Sequence, residues 1–302
     1  MLKYTSSMAD EISHIKLDLG KLSKAITTLI KKMASAAGIV YAPTHTRRMA
    51  KAKADAALIK AQSELEVASL RRRAANRVLL EEMRNQENIE SITESAFPLL
   101  EDRADASNVD DDWVANFFAK CKMTSRKELQ LIWARILAGQ VNKPGSFSKR
   151  TVNFLAEVDE KDAKMFTLFC SFLFKRSDKQ KLTPLIPSSF YFAGRYAKTG
   201  LTENVEVHLK NIGLIYFEEP RYASEKLVPG TTFEYFGRLA RVVEETTISY
   251  YQAELTVLGE ELATIVEGEM NWDLLMYLLN RHPENSVRDA IVLEPLVADG
   301  TK

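Results

Sequence analysis

Apolar residues at Ile12, Ile15, Leu19, Leu22, Ile26, Leu29 and Met33 recur at alternating intervals of three and four. This is the a/d seam of a heptad repeat, sustained for three heptads. It suits a helix and no strand, and it demands a second helix to cover it. Gly20 weakens the middle by about 1 kcal/mol relative to alanine, and Gly38 with Pro43 predicts the end. A second seam, Ala54, Leu58, Ala61, Leu65, Ala68, Arg72, Ala75 and Leu79, lies in a helix predicted over 46–96. Its alternating small and large residues allow close approach of a partner helix, and only Arg72 interrupts it. Roughly 50 residues at 1.5 Å each would extend about 75 Å. Residues 1–100 are therefore expected to form a long helical hairpin or a coiled coil, with self-association through these helices as one outcome.

Beyond residue 100 the pattern shortens. Residues 101–112, EDRADASNVDDD, read as an acidic linker. Asp110, Asp111 and Asp112 precede Trp113 and suit the positive end of a helix dipole. Trp113, Phe117 and Cys121 give that helix its apolar face. Ser125 and Glu128 have the spacing of a capping box for the next helix, whose stripe is Leu129, Ile132, Trp133, Ile136 and Leu137, with Gly139 as its expected cap. Ser148 is placed to cap a short helix carrying Val152 and Leu155. Asp159 with Asp162 opens another, bearing Phe166, Phe169 and Cys170. A helical domain is thus expected over 113–195. From about residue 200 come a helix from Thr202 to Gly213, a strand at 214–217, a hairpin of 231–243 against 247–255, and a helix capped by Thr256. Helix, strand, hairpin, helix is the order of a winged-helix unit, so 196–302 is expected to be a small α+β domain of that kind. "LKNIGLI" and "AELTVLGEEL" resemble the corresponding parts of winged-helix domains.

Two cysteines, Cys121 and Cys170, exclude a disulfide scaffold and a four-cysteine zinc site. His14, His45, His208 and His282 are scattered without ligands at metal spacing. No phosphate-binding glycine loop, nucleophile elbow or HExxH is present. Adjacent carboxylates such as Glu218-Glu219, Glu244-Glu245 and Glu260-Glu261 point apart and do not form acid–base pairs. No cofactor and no enzymatic activity are expected. The amino terminus lacks the continuous apolar core of a signal peptide, and no amino-terminal stretch is long enough to span a bilayer. A cytoplasmic protein, with peripheral attachment to the inner membrane as one option, is the expectation.

The formal net charge of zero conceals alternating blocks: +9 over 1–77, −9 over 78–112, +7 over 113–176 and −7 over 177–302. Blocks of this kind either face partners or compensate one another within the fold. Lys31, Lys32, Arg47 and Arg48 flank an amphipathic stretch in the manner that anionic lipid attracts. Arg71, Arg72 and Arg73 are candidate phosphate contacts. The helix at 202–212 offers Lys210 and His208 against Glu203 and Glu206, so sequence-specific nucleic-acid binding is not expected.

The most distinctive stretch is ELQLIWARILAGQVNKPGSFSKRTVNFL, residues 128–155. Trp133 to Gly139 followed by Asn142 to Ser148 resembles the signature of an uncharacterised bacterial family, a domain of unknown function. RRMAKAKADA and RNQENIESI are similar to the same family. Trp133, Arg135, Lys143, Lys149 and Arg150 are the candidate interaction residues of this motif. The resemblance implies no catalytic residue. Its members resemble genes of phage-defence regions, which implies a role in antiviral immunity. The combined expectation is a mainly α, non-enzymatic interaction protein with a protein partner, acting as sensor, adaptor or membrane-directed effector. A winged-helix regulator and an unrecognised enzyme are the alternatives.

Overall fold

The computed structural model describes residues 23–42, 70–178, 182–188, 194–266, 268–279 and 291–293. Ten α-helices and seven strands lie among them, and every strand falls between residues 173 and 293. The chain divides into two compact units, 1–156 and 157–302. Ile12 to Leu22, the seam from Ala54 to Ala68, and Arg47 and Arg48 lie outside the described residues.

The first unit begins with α1 (Lys24–Ala37), opened by Ser23, whose hydroxyl accepts from the Ile26 amide, and closed at Gly38. Its Ala25, Leu29 and Met33 are buried, and it packs on α3 (Asp111–Cys121). In α2 (Leu70–Ala96) burial starts only at Asn85 and then takes in Asn88, Ile89, Ile92, Thr93 and Ala96. The described end of the second seam is not covered: Arg72 and Ala75 are exposed, and Leu79 is 54% exposed. Residues 101–112 pack into this unit, with Ala104, Ala106 and Val109 buried and a 3-10 turn at Ala106–Asn108. Asp110 caps α3 by accepting from the Trp113 amide at 2.8 Å.

α4 (Lys127–Asn142) differs from expectation at both ends. The Ser125 hydroxyl accepts from Asn88 Nδ2 at 3.3 Å, and the cap position falls to Arg126, which makes no side-chain cap. Gly139 lies inside the helix. A Cβ there would come 2.6 Å from the Phe147 ring, so glycine admits the aromatic ring instead of ending the helix. α2 and α4 pack together across a polar seam. Gln130 Nε2 donates to Asn88 Oδ1 at 3.2 Å and to the Thr124 carbonyl at 2.8 Å, and the Ser91 hydroxyl donates to Gln130 Oε1 at 2.9 Å. α5 (Lys149–Glu157) is opened by Ser148, which accepts from the Thr151 amide at 3.3 Å.

The second unit opens with α6 (Glu160–Cys170), started by the reciprocal Asp159–Asp162 capping box. Then follow β1 (Leu173–Arg176), β2 (Leu182–Pro184), α7 (Arg195–Lys198), α8 (Glu203–Asn211), β3 (Ile215–Leu227), β4 (Thr232–Tyr235), β5 (Arg238–Val242), β6 (Thr246–Leu255), α9 (Val257–Ala263), α10 (Trp272–Leu278) and β7 (Ile291–Leu293). One antiparallel sheet has the order β2-β1-β4-β5-β7, and β3 pairs with β6 in a separate two-stranded ribbon. The expected hairpin of 231–243 against 247–255 is replaced by two other pairings. Residues 232–242 fold on themselves, Tyr235 opposite Arg238, and 246–255 pairs back to β3, Ile215 opposite Leu255. The sheet takes strands from both sides of residue 195, where the change of element pattern along the sequence places a boundary.

Phe174 and Tyr235 stack at 4.1 Å across this sheet. The Tyr235 hydroxyl donates to the Ser171 carbonyl at 2.6 Å and accepts from the Asn271 amide at 2.8 Å, tying the start of α10 to β4. Thr256 caps α9 by accepting from the Gly259 amide at 3.1 Å. A Cβ at Gly259 would stand 2.1 Å from the Leu214 carbonyl oxygen, so that backbone approach requires glycine. Cys121 and Cys170 are buried free thiols whose pKa burial raises. Among the described residues no helix is long and apolar enough to cross a membrane.

Candidate functional site

Residues 133–148 are built as a clamp. Trp113 Nε1 donates to the Phe147 carbonyl at 2.8 Å, and the Phe147 amide donates to Gln140 Oε1 at 2.9 Å. Asn142 Nδ2 donates to the Leu99 carbonyl at 2.9 Å, while its Oδ1 accepts from the Glu101 amide at the same distance. Trp133 is buried edge-on to Phe117, with ring centroids 5.3 Å apart. Arg135 is half-buried, whereas Lys143 and Arg150 are exposed. Lys149 lies 3.6 Å from both Asp110 and Asp112, and Lys32 is paired with Asp111. The aspartates at the start of α3 thus gather two of the candidate cations. Lys31 is exposed on α1.

Arg71, Arg72 and Arg73 sit on the first turn of the described part of α2, in a stretch whose residues 70–84 are almost all exposed. Leu70 is 74% exposed, and Val78, Leu79 and Leu80 are also at the surface. Arg77 pairs with Glu81 at 3.7 Å. This stretch of helix thus shows apolar and basic side chains together at its surface over about four turns.

The second unit contains groups that sequence reading missed. Glu206 is 0% exposed. The Tyr196 hydroxyl donates to its Oε1. Burial pushes its pKa up to about 7; the Tyr196 and Tyr251 hydroxyls and the Arg221 guanidinium pull it down, and Glu203 pushes it upward. Arg221 lies over the Phe217 ring at 4.7 Å and 4.0 Å from Glu203. This cluster holds a proton near neutrality at the junction of α7, α8 and the ribbon. Its signal was present in the sequence: Glu206 stands three residues before Leu209, on the apolar side of an amphipathic helix. His208 Nε2 meets Asp162 Oδ1 at 2.5 Å, joining α8 to the start of α6.

Arg176 was also missed. It is buried and doubly bonded to Glu225, both contacts at 2.8 Å, and to Asp178 at 2.9 and 2.6 Å. Burial works against its charge, yet the two carboxylates prevail and raise its pKa. No local periodicity signals such a pair, because Glu225 lies 49 residues away. Among the described residues no group of three or more His, Cys, Asp or Glu side chains could hold a metal.

These features define a mainly α protein with two small antiparallel sheets in its carboxy-terminal part. The chain belongs to the family described as Protein of unknown function (DUF2806), whose model matches residues 72–279. No curated protein and no solved structure matches it.

Proposed function

We propose that the protein is a non-enzymatic interaction protein that self-associates through its amino-terminal helices and serves as a sensor or adaptor in bacterial antiphage defence. The observation that carries the interaction reading is the exposed arm of α2, residues 70–84, with Leu70, Val78, Leu79 and Leu80 at the surface. The heptad spacing of Ala54 to Leu79 supports a second copy as the covering surface. The defence role is supported by the resemblance of residues 128–155 alone. Membrane-directed action through Lys31, Lys32, Arg47 and Arg48 is the weaker branch, since Lys32 is engaged by Asp111. Sedimentation equilibrium tests self-association: wild type is expected as a dimer or larger, and Leu79→Asp with Leu80→Asp as a monomer of unchanged helicity. Equal masses for both would refute it. Phage plating on cells with and without the gene tests the defence role.

A second reading, a winged-helix regulator, is favoured by element order. A helix (α6), an extended segment whose Pro187 bridges Tyr250 of β6, two helices (α7 and α8) and the β3–β6 ribbon occur in the order of such domains, with β1 and β2 inserted after α6 and β4 and β5 between the ribbon strands. Against it stands the surface of α8, where Glu203 and Asn204 accompany Lys210 and Asn211. Nanomolar binding to one defined duplex, abolished by Lys210→Glu, would promote this reading.

A further inference from the structure

The tip of the β4–β5 hairpin is a two-residue connection, Phe236-Gly237, between the facing residues Tyr235 and Arg238. Both central residues have positive φ, +47° at Phe236 and +73° at Gly237, as a type I′ turn requires. Asparagine or glycine is the usual occupant of the first position, because a bulky side chain is strained there. Phe236 is the only non-glycine residue with positive φ among the described residues, and it is 43% exposed. Strain of this kind persists where the surroundings enforce it, and such sites cluster at places that bind.

The surroundings have the composition of a recognition surface. Phe236 packs edge-on to Tyr235 at 4.9 Å, and its ring tip would meet a Cβ on Gly268 at 3.3 Å. With Gly237 it walls a pocket of about 230 Å³, whose apolar lining includes Leu173, Leu182, Ala263 and Val266. Lys175 and Glu234, 3.7 Å apart, also line it. Next along the chain, the Arg238 guanidinium lies 4.7 Å over the ring of Trp272, which is 52% exposed. Among the described residues Arg238 has this aromatic ring as its partner and no carboxylate.

We propose that the Phe236 hairpin tip, its adjoining pocket and the Arg238–Trp272 stack form a docking site for a linear peptide segment of a partner protein. The peptide presents one large apolar side chain next to a carboxylate. The pocket volume suits a single large side chain. Arginine stacked on an aromatic ring retains its in-plane N–H donors for a carboxylate. Trp and Arg are also the residues that dominate binding energy at protein interfaces. One guanidinium suits one carboxylate; the row of phosphates of a nucleic-acid strand would meet Glu234 and find beside Arg238 only Lys175, already paired with that glutamate. This surface lies in the second unit and uses no residue of α2, so failure of one proposal leaves the other standing.

The test is a phage-displayed random dodecapeptide library panned against the full-length chain, followed by fluorescence anisotropy of the synthetic consensus peptide. The expected consensus places Phe, Leu, Ile or Trp within two residues of Asp or Glu. Phe236→Asn, which keeps the turn, and Arg238→Glu should each weaken binding at least tenfold with unchanged circular dichroism. No consensus, or a consensus peptide that binds wild type and both variants equally, overturns the proposal. A labelled single-stranded oligonucleotide is run beside it; binding that Phe236→Asn and Arg238→Glu abolish, with none to the peptide, would overturn it in favour of nucleic acid.

Discussion

Replacing Glu206 with glutamine should make the protein more stable in alkaline solution and leave acid stability nearly unchanged. In the folded chain this carboxyl titrates at about 7 instead of its ordinary 4.5. Its folded-state pKa is raised, so between these values the folded protein holds a proton that the unfolded chain has released. Stability from this group is present below pH 4.5, falls as pH rises, and is lost above pH 7. A difference of roughly 2.5 units at 1.36 kcal/mol each sets an upper bound of about 3 kcal/mol. Glutamine cannot ionise and retains an oxygen for the Tyr196 hydroxyl. Glu206→Gln should therefore match wild type within about 1 kcal/mol at pH 4.5 and exceed it by up to about 3 kcal/mol at pH 8.5.

Urea unfolding at half-unit pH steps measures this difference. Hydrogen-exchange mass spectrometry on peptides covering 203–211 assigns the transition to the second unit. A difference between variant and wild type that stays flat from pH 4.5 to 8.5 would refute the reasoning. It would mean that Tyr196, Tyr251 and Arg221 compensate the buried charge in full.

Three further outcomes follow from packing and charge. Gly259→Ala should cost about 2 kcal/mol, read as a lower urea midpoint, because the new Cβ collides with the backbone at Leu214. Asn142→Ala should remove both bonds to Leu99 and Glu101 and lower stability by about 1–2 kcal/mol in the same assay. Arg71, Arg72 and Arg73 changed together to Glu should abolish a weak, sequence-independent retention on heparin or DNA that wild type loses at raised salt; unchanged retention would remove them as phosphate contacts.

Caps and stripes were legible in the sequence because they are local. Asp110, Ser148 and the Asp159–Asp162 pair bond within three residues, and Trp133, Phe166 and Phe169 recur with the helical period. Gly139 was misread because the ring it admits, Phe147, is folded back by Gln140, a bond that spacing does not announce. Ser125 lost its cap role to Asn88, 37 residues earlier. The strand pairing failed for a related reason. A Phe-Gly turn carries no asparagine signal, and the Glu244-Glu245 turn connects strands of two different sheets. Of the candidate surfaces, the arginine run on α2 was visible as composition. The Glu206 cluster needed the fold, since Tyr196, Tyr251 and Arg221 come from three other elements.

The order in which the five-stranded sheet is assembled has a consequence for synthesis. β1 pairs with β4, Lys175 opposite Glu234, so its inner edge meets its mate only after some 60 further residues have been made. At about 5–20 residues per second this takes roughly 3–12 s. During that interval Phe174, buried in the finished protein against Phe233 and Tyr235 of β4, lacks both of those rings. The nascent chain should therefore need a holdase on the ribosome until residue 242 has emerged, and expression clones cut at residue 195 or 230 should give insoluble fragments.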